Sequence, residues 1–330
     1  MILILKRILI SLLTLFFVSL LCFLIFSVIR GDPASSMAGI SATPEQLAQL
    51  REEMGLNNNV FMRYFIWLIN FISGNPGISF SFHSEQISAL IIQRLPVTIT
   101  LALLSLFFIT IISLTVSLLT VKKQAGIIDN IVNIATAAGI SIPGFFLALL
   151  FIFIFGFGLK LFIPGNFIDY NDNFWGFITF LCFPALAIAI PNSAILIKFL
   201  RASLFAELKS DYVRTARSKG AGRLYILRRH VLKNACIPAI TIFGMIIAEV
   251  FSGSIIIEQV FTIPGTGRLL ISAISSRDYP LIQALIFYIA SLVIIANTIA
   301  DIFILIIDPR IRQNNKLNNN LDNRQNGNIK

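Results

Sequence analysis

The sequence predicts an all-α, polytopic membrane protein with six transmembrane helices. Of its 330 residues, 56% are hydrophobic and only 13% are charged, which is more apolar surface than a soluble core can hide. Six apolar runs reach the roughly 18 residues or more that a helix needs to cross a hydrocarbon core of about 30 Å. This composition excludes a soluble enzyme. It also excludes a disordered chain, which combines low hydrophobicity with a high density of charge.

Each predicted span follows from one of these runs, at 8–29, 97–121, 131–162, 174–197, 235–257 and 281–307. Lys6 and Arg7 before the first run resemble the start of a signal peptide. However, the run has 22 residues and the apolar region of a signal peptide has about 7 to 15, so we expect a retained span. Pro143-Gly144 interrupts the third run, and we expect a kink or break there.

The net charge of +10 is explained by topology. With the N-terminus inside, the predicted cytoplasmic segments hold 19 of the Lys and Arg residues and the outside segments hold seven. Because cytoplasmic loops carry an excess of these residues, both termini are predicted to be cytoplasmic, in the cytoplasmic (inner) membrane. Nucleic-acid binding is the weaker explanation of the charge.

The spans divide the chain into four regions. Residues 1–29 are the first transmembrane helix, and 30–96 form an external segment in which Thr43-Pro44-Glu45 predicts a capped helix. Residues 97–307 form a five-helix core that contains a cytoplasmic loop at 199–234. Residues 308–330 are polar and rich in Asn, and we expect a disordered cytoplasmic tail.

The cytoplasmic loop is the most charge-dense part of the chain. On a helix, Val213, Ala216 and Gly220 share one face while Arg214 and Arg217 lie on another. We interpret this as two short helices, joined by glycines, that dock into a groove of a soluble partner through the small-residue face. The alternative is a basic loop that only obeys the charge rule for cytoplasmic segments.

The loop also resembles a known family. Its sequence DYVRTARSKGAGRLYILRRHVLKNACIPA is similar to the cytoplasmic coupling loop of ABC importer permeases of the dipeptide/oligopeptide/nickel family. Arg214-Thr215-Ala216 stands where the general importer pattern has EAA, and His230-Val231-Leu232-Lys233 replaces I-x-L-P. Further similar motifs occur in order along the chain: Gly31-Asp32-Pro33-Ala34, Arg94-Leu95-Pro96-Val97-Thr98, Glu258, Pro264-Gly265-Thr266-Gly267-Arg268, Arg277-Asp278-Tyr279-Pro280 and Asp308-Pro309-Arg310-Ile311-Arg312.

The resemblance implies a type I ABC importer permease fold and a set of partners. These are a second homologous permease subunit in a heterodimer, two ABC ATPase subunits, an extracytoplasmic substrate-binding protein and membrane lipid, with no nucleic acid and no cofactor. The sequence has no G-x-x-x-x-G-K-[ST] loop to cradle nucleotide phosphates, so ATP hydrolysis is assigned to separate subunits. The residues implied to couple to the ATPases are Asp211, Tyr212, Val213, Arg214, Thr215, Ala216, Arg217, Lys219 and Gly220.

Four polar residues within predicted spans are candidates for the translocation path. Charge is costly in a membrane, so the intramembrane acids Glu249 and Asp301 are the first residues that need an explanation. Asp301 lies close to the cytoplasmic end of its span, where pairing with a basic residue explains it more simply. Glu249 either faces a polar path or locks two helices together. The path candidates are Asn192, Ser193, Glu249 and Ser252.

Three classes of function compete. The leading one is a permease subunit that imports small peptides, with nickel or a nickel chelate as the alternative substrate. A membrane enzyme is disfavoured because two acids in separate spans and two histidines, His83 and His230, form neither a catalytic set nor a metal site. An ion-coupled secondary transporter is a remote alternative, since no pair of related halves is evident.

Overall fold

A computed structural model describes residues 2–29, 43–53, 59–122 and 126–307. Apart from one isolated antiparallel bridge between Ile78 and Gln86, the regular structure in these ranges is helical. The helices are α1 (Ile2–Ile29), α2 (Pro44–Glu53), α3 (Val60–Ile72), α4 (Ile87–Lys122), α5 (Ile127–Ser141), α6 (Gly144–Phe151, continued by π-helical Ile152–Gly158), α7 (Phe174–Leu208), α8 (Asp211–Ser218), α9 (Arg223–Ile226, continued by π-helical Leu227–Val231), α10 (Leu232–Val260), α11 (Thr266–Ser275) and α12 (Tyr279–Ile307).

The described helices agree with the predicted all-α membrane fold. Five of them are long and apolar enough to cross a bilayer, and α5 with α6 forms a pair bent by 98° that makes a sixth span if the pair counts as one. The break falls at Ile142 and Pro143, whose backbones are extended, as predicted from Pro143-Gly144. The cause is steric, because a proline disfavours helical geometry in the residue before it.

Several helices are longer than the predicted spans. α4 begins at Ile87, ten residues before the predicted start, because Ile87, Leu90 and Ile91 pack into a core with α11 and α12. α7 continues to Leu208, and the helix that starts at Arg223 runs into α10 without a loop. Most of the predicted cytoplasmic loop is therefore helical extension of the spans, as are the last ten residues, 87–96, of the predicted external segment.

The core is organised around α7, which packs against α4, α5, α6 and α10. Its buried positions are mostly Ala, Leu and Ile, so neighbouring helices approach closely. A second core joins α1, the start of α4, α11 and α12. Asp301 in α12 pairs with Arg7 in α1 at 3.2 Å, which confirms the simple explanation of this acid.

The external segment contains one predicted helix and one that was missed. α2 begins after Thr43, whose hydroxyl accepts from the Gln46 amide while the Gln46 side chain accepts from the Thr43 amide. This is a capping box, and it confirms the predicted helix. α3 was not predicted. The motifs at Gly31-Asp32-Pro33-Ala34 and Asp308-Pro309-Arg310-Ile311-Arg312, and the predicted tail, lie outside the described residues.

Candidate functional site

The predicted coupling segment lies between α7 and α10, at one end of the bundle. The backbone reverses after Leu208 through Lys209 and Ser210, and α8 begins at Asp211. Arg223 donates from Nη2 to the carbonyl of Val121 at 3.1 Å, which joins the start of α9 to the end of α4. We call this end of the molecule the α8 end, and the opposite end of α10 the α11 end.

The apolar face of α8 is turned into the protein. Val213 is fully buried in the main core, and Ala216 and Ala221 pack partly against the same core. The prediction that Val213, Ala216 and Gly220 form one face that enters a partner's groove does not fit this packing, because Val213 and Ala216 contact the chain's own core and Gly220 lies beyond the end of α8. An apolar side chain beside an apolar core is removed from water within its own chain, so it is not offered to a partner. The coupling role of the segment stays a prediction.

The outward face of α8 is polar and mostly basic. The exposed residues in and directly after the helix are Asp211, Arg214, Thr215, Arg217, Ser218 and Lys219. Arg214 and Asp211 form an ion pair of 3.7 Å between highly exposed side chains, and such pairs contribute little stability. Arg217 and Lys219 have no opposite charge paired with them in the described structure. This face has a net positive charge.

Tyr212 fixes α8 to the end of α7. Its hydroxyl donates to Oε2 of Glu207 at 2.6 Å. Burial raises the pKa of Tyr212, and the hydrogen bond to Glu207 raises it further. The phenol therefore stays protonated at neutral pH and remains a donor.

Gly220 ends α8 in a conformation that favours glycine. Its φ is +80°, its amide donates to the Arg217 carbonyl at 2.9 Å, and the Ala221 amide donates to the Ala216 carbonyl at 3.1 Å. This pattern is a Schellman motif with glycine in the left-handed position. A Cβ on Gly220 would meet no atom within 4 Å, so the residue is required by backbone geometry and not by close packing.

Arg201 is a buried cation near the α8 end that was not singled out from the sequence. Its side chain, 7% exposed, forms an ion pair with Asp129 and donates to Oδ1 of Asn133 at 2.9 Å. These contacts fasten α7 to α5. An arginine within an otherwise apolar helix was the available signal, because such a charge requires a partner.

The four path candidates occupy two different environments. Asn192 and Ser193 on α7 are buried, and the Asn192 Oδ1 and Ser193 Oγ atoms have no hydrogen-bond partner in the described part of the chain. Glu249 and Ser252 are exposed on one face of α10, between Met245 and Ile256. Among the described residues, no hydrogen bond joins the α7 pair to the α10 pair: Asn192 and Ser252 donate to carbonyls of their own helices.

A second acid in α10, Glu258, was treated only as a motif residue in the sequence, because the predicted span ended at Ile257. Glu258 is fully buried and lies at the N-terminus of α11. Its carboxylate accepts from the Thr98 hydroxyl at 2.8 Å and from the amides of Gly267 and Arg268 at 2.8 and 3.1 Å. A Cβ on Gly267 would lie 2.6 Å from Cα of Ile255, so α11 and α10 are in backbone contact here.

Among the described residues, no group of three or more His, Cys, Asp or Glu side chains could hold a metal ion. His83 and His230 lie in separate parts of the fold, on the loop before α4 and in the π-helical turn after α9.

Two family models match the sequence. The model described as "Binding-protein-dependent transport system inner membrane component" matches residues 113–313, and the corresponding N-terminal model matches residues 1–102. The chain is 36% identical over 310 residues to the oligopeptide transport system permease protein AppB of Bacillus subtilis, covering 93% of this chain and 98% of the relative. It is 35% identical over 311 residues to a putative peptide transport system permease protein of Brucella abortus, covering 94% and 98%. It is 32% identical over 310 residues to the dipeptide transport system permease protein DppB of Lactococcus lactis, covering 94% and 98%.

Proposed function

The chain belongs to the family of binding-protein-dependent transport system inner membrane components, and from this premise we propose that it is the permease subunit of an ATP-driven importer of small peptides. Family membership makes it a multi-pass inner-membrane transport subunit and not an enzyme in its own right. The names of its relatives refer to peptides, oligopeptides and dipeptides, which supports small peptides over nickel or a nickel chelate as the substrate.

ATP hydrolysis is proposed to come from two separate ABC ATPase subunits that bind at the α8 end. The observation that carries this proposal is the outward face of α8, where Arg214, Arg217 and Lys219 are exposed on a helix that is fixed to the core by Val213. A rigidly held, positively charged helix suits an acidic groove in a soluble partner. α8 is joined to α7 by Lys209 and Ser210 and to α10 through α9, so movement of the ATPases would be transmitted to two spans through packed contacts.

A second permease subunit is proposed to cover the face of α10 that carries Glu249 and Ser252. Glu249 is exposed within a candidate span, and a charged side chain facing lipid at the centre of a helix costs at least about 2.5–3.5 kcal/mol. A heterodimer with a water-filled path between the subunits removes this cost. Asn192 and Ser193 stay candidate path residues, and both are buried within the chain.

The proposal also includes the orientation of the chain in the membrane. Both termini are proposed to be cytoplasmic, which puts the α8 end with residues 199–234 inside and the α11 end with residues 30–96 outside. The unequal distribution of Lys and Arg supports this orientation. A substrate-binding protein would then dock at the α11 end.

Transport by the complete system tests the substrate proposal. The chain is produced with the second permease, the ATPases and the binding protein of its system, reconstituted in vesicles, and supplied with a labelled dipeptide, a labelled tetrapeptide or Ni²⁺. We expect ATP-dependent accumulation of peptide, and no ATP turnover by the purified chain alone. Accumulation of Ni²⁺ without peptide would contradict the peptide assignment, and turnover by the isolated chain would contradict the assignment to separate ATPases.

A further inference from the structure

α3 is a short helix that neither the topology nor the proposed coupling mechanism explains. Its 13 residues extend about 20 Å at 1.5 Å per residue, too short to cross a core of about 30 Å. Polar groups mark its two ends. The Asn59 side chain accepts from the Phe61 amide, and Ser73 caps the other end before the turn at Gly74 and Asn75.

One face of α3 packs onto two transmembrane helices. Tyr64, 2% exposed, shares a hydrogen bond of 2.7 Å with Ser19 of α1, and its ring packs edge-on against Phe23 at 5.5 Å. Trp67 and Phe71 contact Phe287 of α12, with ring centroids 5.5 and 4.7 Å apart. α3 therefore lies against both α1 and α12.

The lengths of the candidate spans put these contacts well inside a bilayer. Ser19 lies twelve residues beyond Arg7, or about 18 Å along the helix, which is past the middle of a core of about 30 Å that begins near the Arg7–Asp301 ion pair. Phe287 lies eight residues, or about 12 Å, inside the start of α12 at Tyr279. A helix that touches both residues is at the depth of lipid acyl chains.

The other face of α3 is a stripe of large apolar side chains. Phe61, Phe65, Ile69 and Ile72 recur at helical spacing and are 70%, 52%, 63% and 76% exposed. On α1, the ring centroid of Phe16 lies 6.2 Å from that of Tyr64, and Phe16 and Phe17 are themselves exposed. Contiguous apolar surface of this kind marks contact with a partner or a membrane. Because α3 packs on α1 and α12, which are both candidate spans, its position favours the membrane.

We propose that α3 is a half-helix embedded in the leaflet at the Ile29 end of α1, and that the stripe from Phe61 to Ile72 contacts the acyl chains of phospholipids. The polar ends of α3 and its hydrogen bond to Ser19 hold it at this depth. The helix anchors the segment between the first two spans in the bilayer, close to the start of α4. The proposal depends on neither the substrate nor the sidedness of the transporter.

Photocrosslinking in membranes that contain the complete transporter tests this contact. The photoreactive residue p-benzoylphenylalanine replaces Phe65 or, in a second variant, Ile69. The same replacement at Phe17 serves as a reference for lipid contact, and at Asn75 as a reference for the loop beyond the helix. After illumination, the purified chain is analysed by intact-mass spectrometry and by immunoblot.

We expect phospholipid adducts at positions 65 and 69 with a yield comparable to that at 17, and none at 75. A crosslink from 65 or 69 to another protein would overturn the proposal in favour of a subunit interface. Absence of any adduct at both positions, while position 17 is labelled, would place the stripe in water and equally overturn it. Failure of peptide transport leaves this result unchanged, so the two proposals fail separately.

Discussion

α8 and α11 are both short helices at opposite ends of α10, and they are held by opposite kinds of contact. α11 has five buried residues, and its N-terminal amides are satisfied by the buried carboxylate of Glu258. α8 is fixed by the apolar side chain of Val213, and its charged face is open to solvent. The difference indicates that α11 is stabilised by contacts within the chain, whereas the charged face of α8 is the surface at which we propose that the ATPase subunits bind.

Removing the Glu258 carboxylate is expected to have the largest effect on this comparison. Glu258→Ala leaves the Thr98 hydroxyl and two backbone amides without their acceptor, and each buried unpaired donor costs about 1–3 kcal/mol. We expect a large fall in the thermal unfolding temperature of the purified protein in detergent. Glu249→Ala removes an exposed acid from the same helix and is the matched control. Equal unfolding temperatures for both variants would show that α11 does not depend on Glu258.

Substitution of Val213 tests whether the apolar face of α8 stabilises the chain itself or binds a partner. Val213→Ala removes two buried carbon atoms, at about 0.8 kcal/mol for each, so we expect the isolated chain to lose about 1.5 kcal/mol of stability. Thr215→Ala, on the exposed face, should leave the unfolding temperature of the isolated chain unchanged. If Val213→Ala keeps full stability but no longer assembles with the ATPases, the apolar face of α8 does bind the partner.

The sequence predicted the spans better than the surfaces of the short helices. Long apolar runs and Pro143 are local signals, and the break after Ser141 followed from them. The spacing of Val213 and Ala216 indicated one face of a helix, although Gly220, predicted to share that face, lies beyond the end of α8. Periodicity does not say whether such a face meets its own core or a partner. The roles of Glu258 and Arg201 depend on Thr98 and Asp129, which are distant in sequence, so no local pattern reveals them.

Substitutions at Gly220 test whether coupling of transport to ATP hydrolysis depends on the backbone geometry at the end of α8. Gly220→Val places a branched side chain at φ +80°, which costs about 1–2 kcal/mol in the left-handed region although the space around it is open. We expect normal insertion but fewer peptides transported per ATP hydrolysed, because the end of α8 shifts. Gly220→Trp should act in the same way, through the backbone and not through a clash.

Two controls separate backbone strain from added volume. Gly220→Asn should retain most of the coupling, since Asn tolerates the left-handed conformation. Gly222→Ala adds a side chain at φ −67° in open space and should have no effect. If Gly220→Asn and Gly220→Val uncouple transport equally, volume and not backbone geometry is the cause.

The smallest expected effect on the chain itself is that of reversing one charge on the outward face of α8. Arg217 is exposed, so Arg217→Glu should leave the unfolding temperature unchanged. Its effect should appear only in assembly, as weaker binding of the ATPase subunits and a smaller dependence of that binding on salt, because an attraction between exposed charges is screened over about 10 Å at 0.1 M ionic strength. Arg217→Lys keeps the charge and should bind with nearly the affinity of the unmodified chain.

Binding of the ATPases is measured by pull-down and by light scattering at several salt concentrations. If Arg217→Glu binds the ATPase subunits with unchanged affinity at low salt, the charged face of α8 does not contact them. The proposed difference between α8, which binds a partner, and α11, which is stabilised within the chain, would then be wrong.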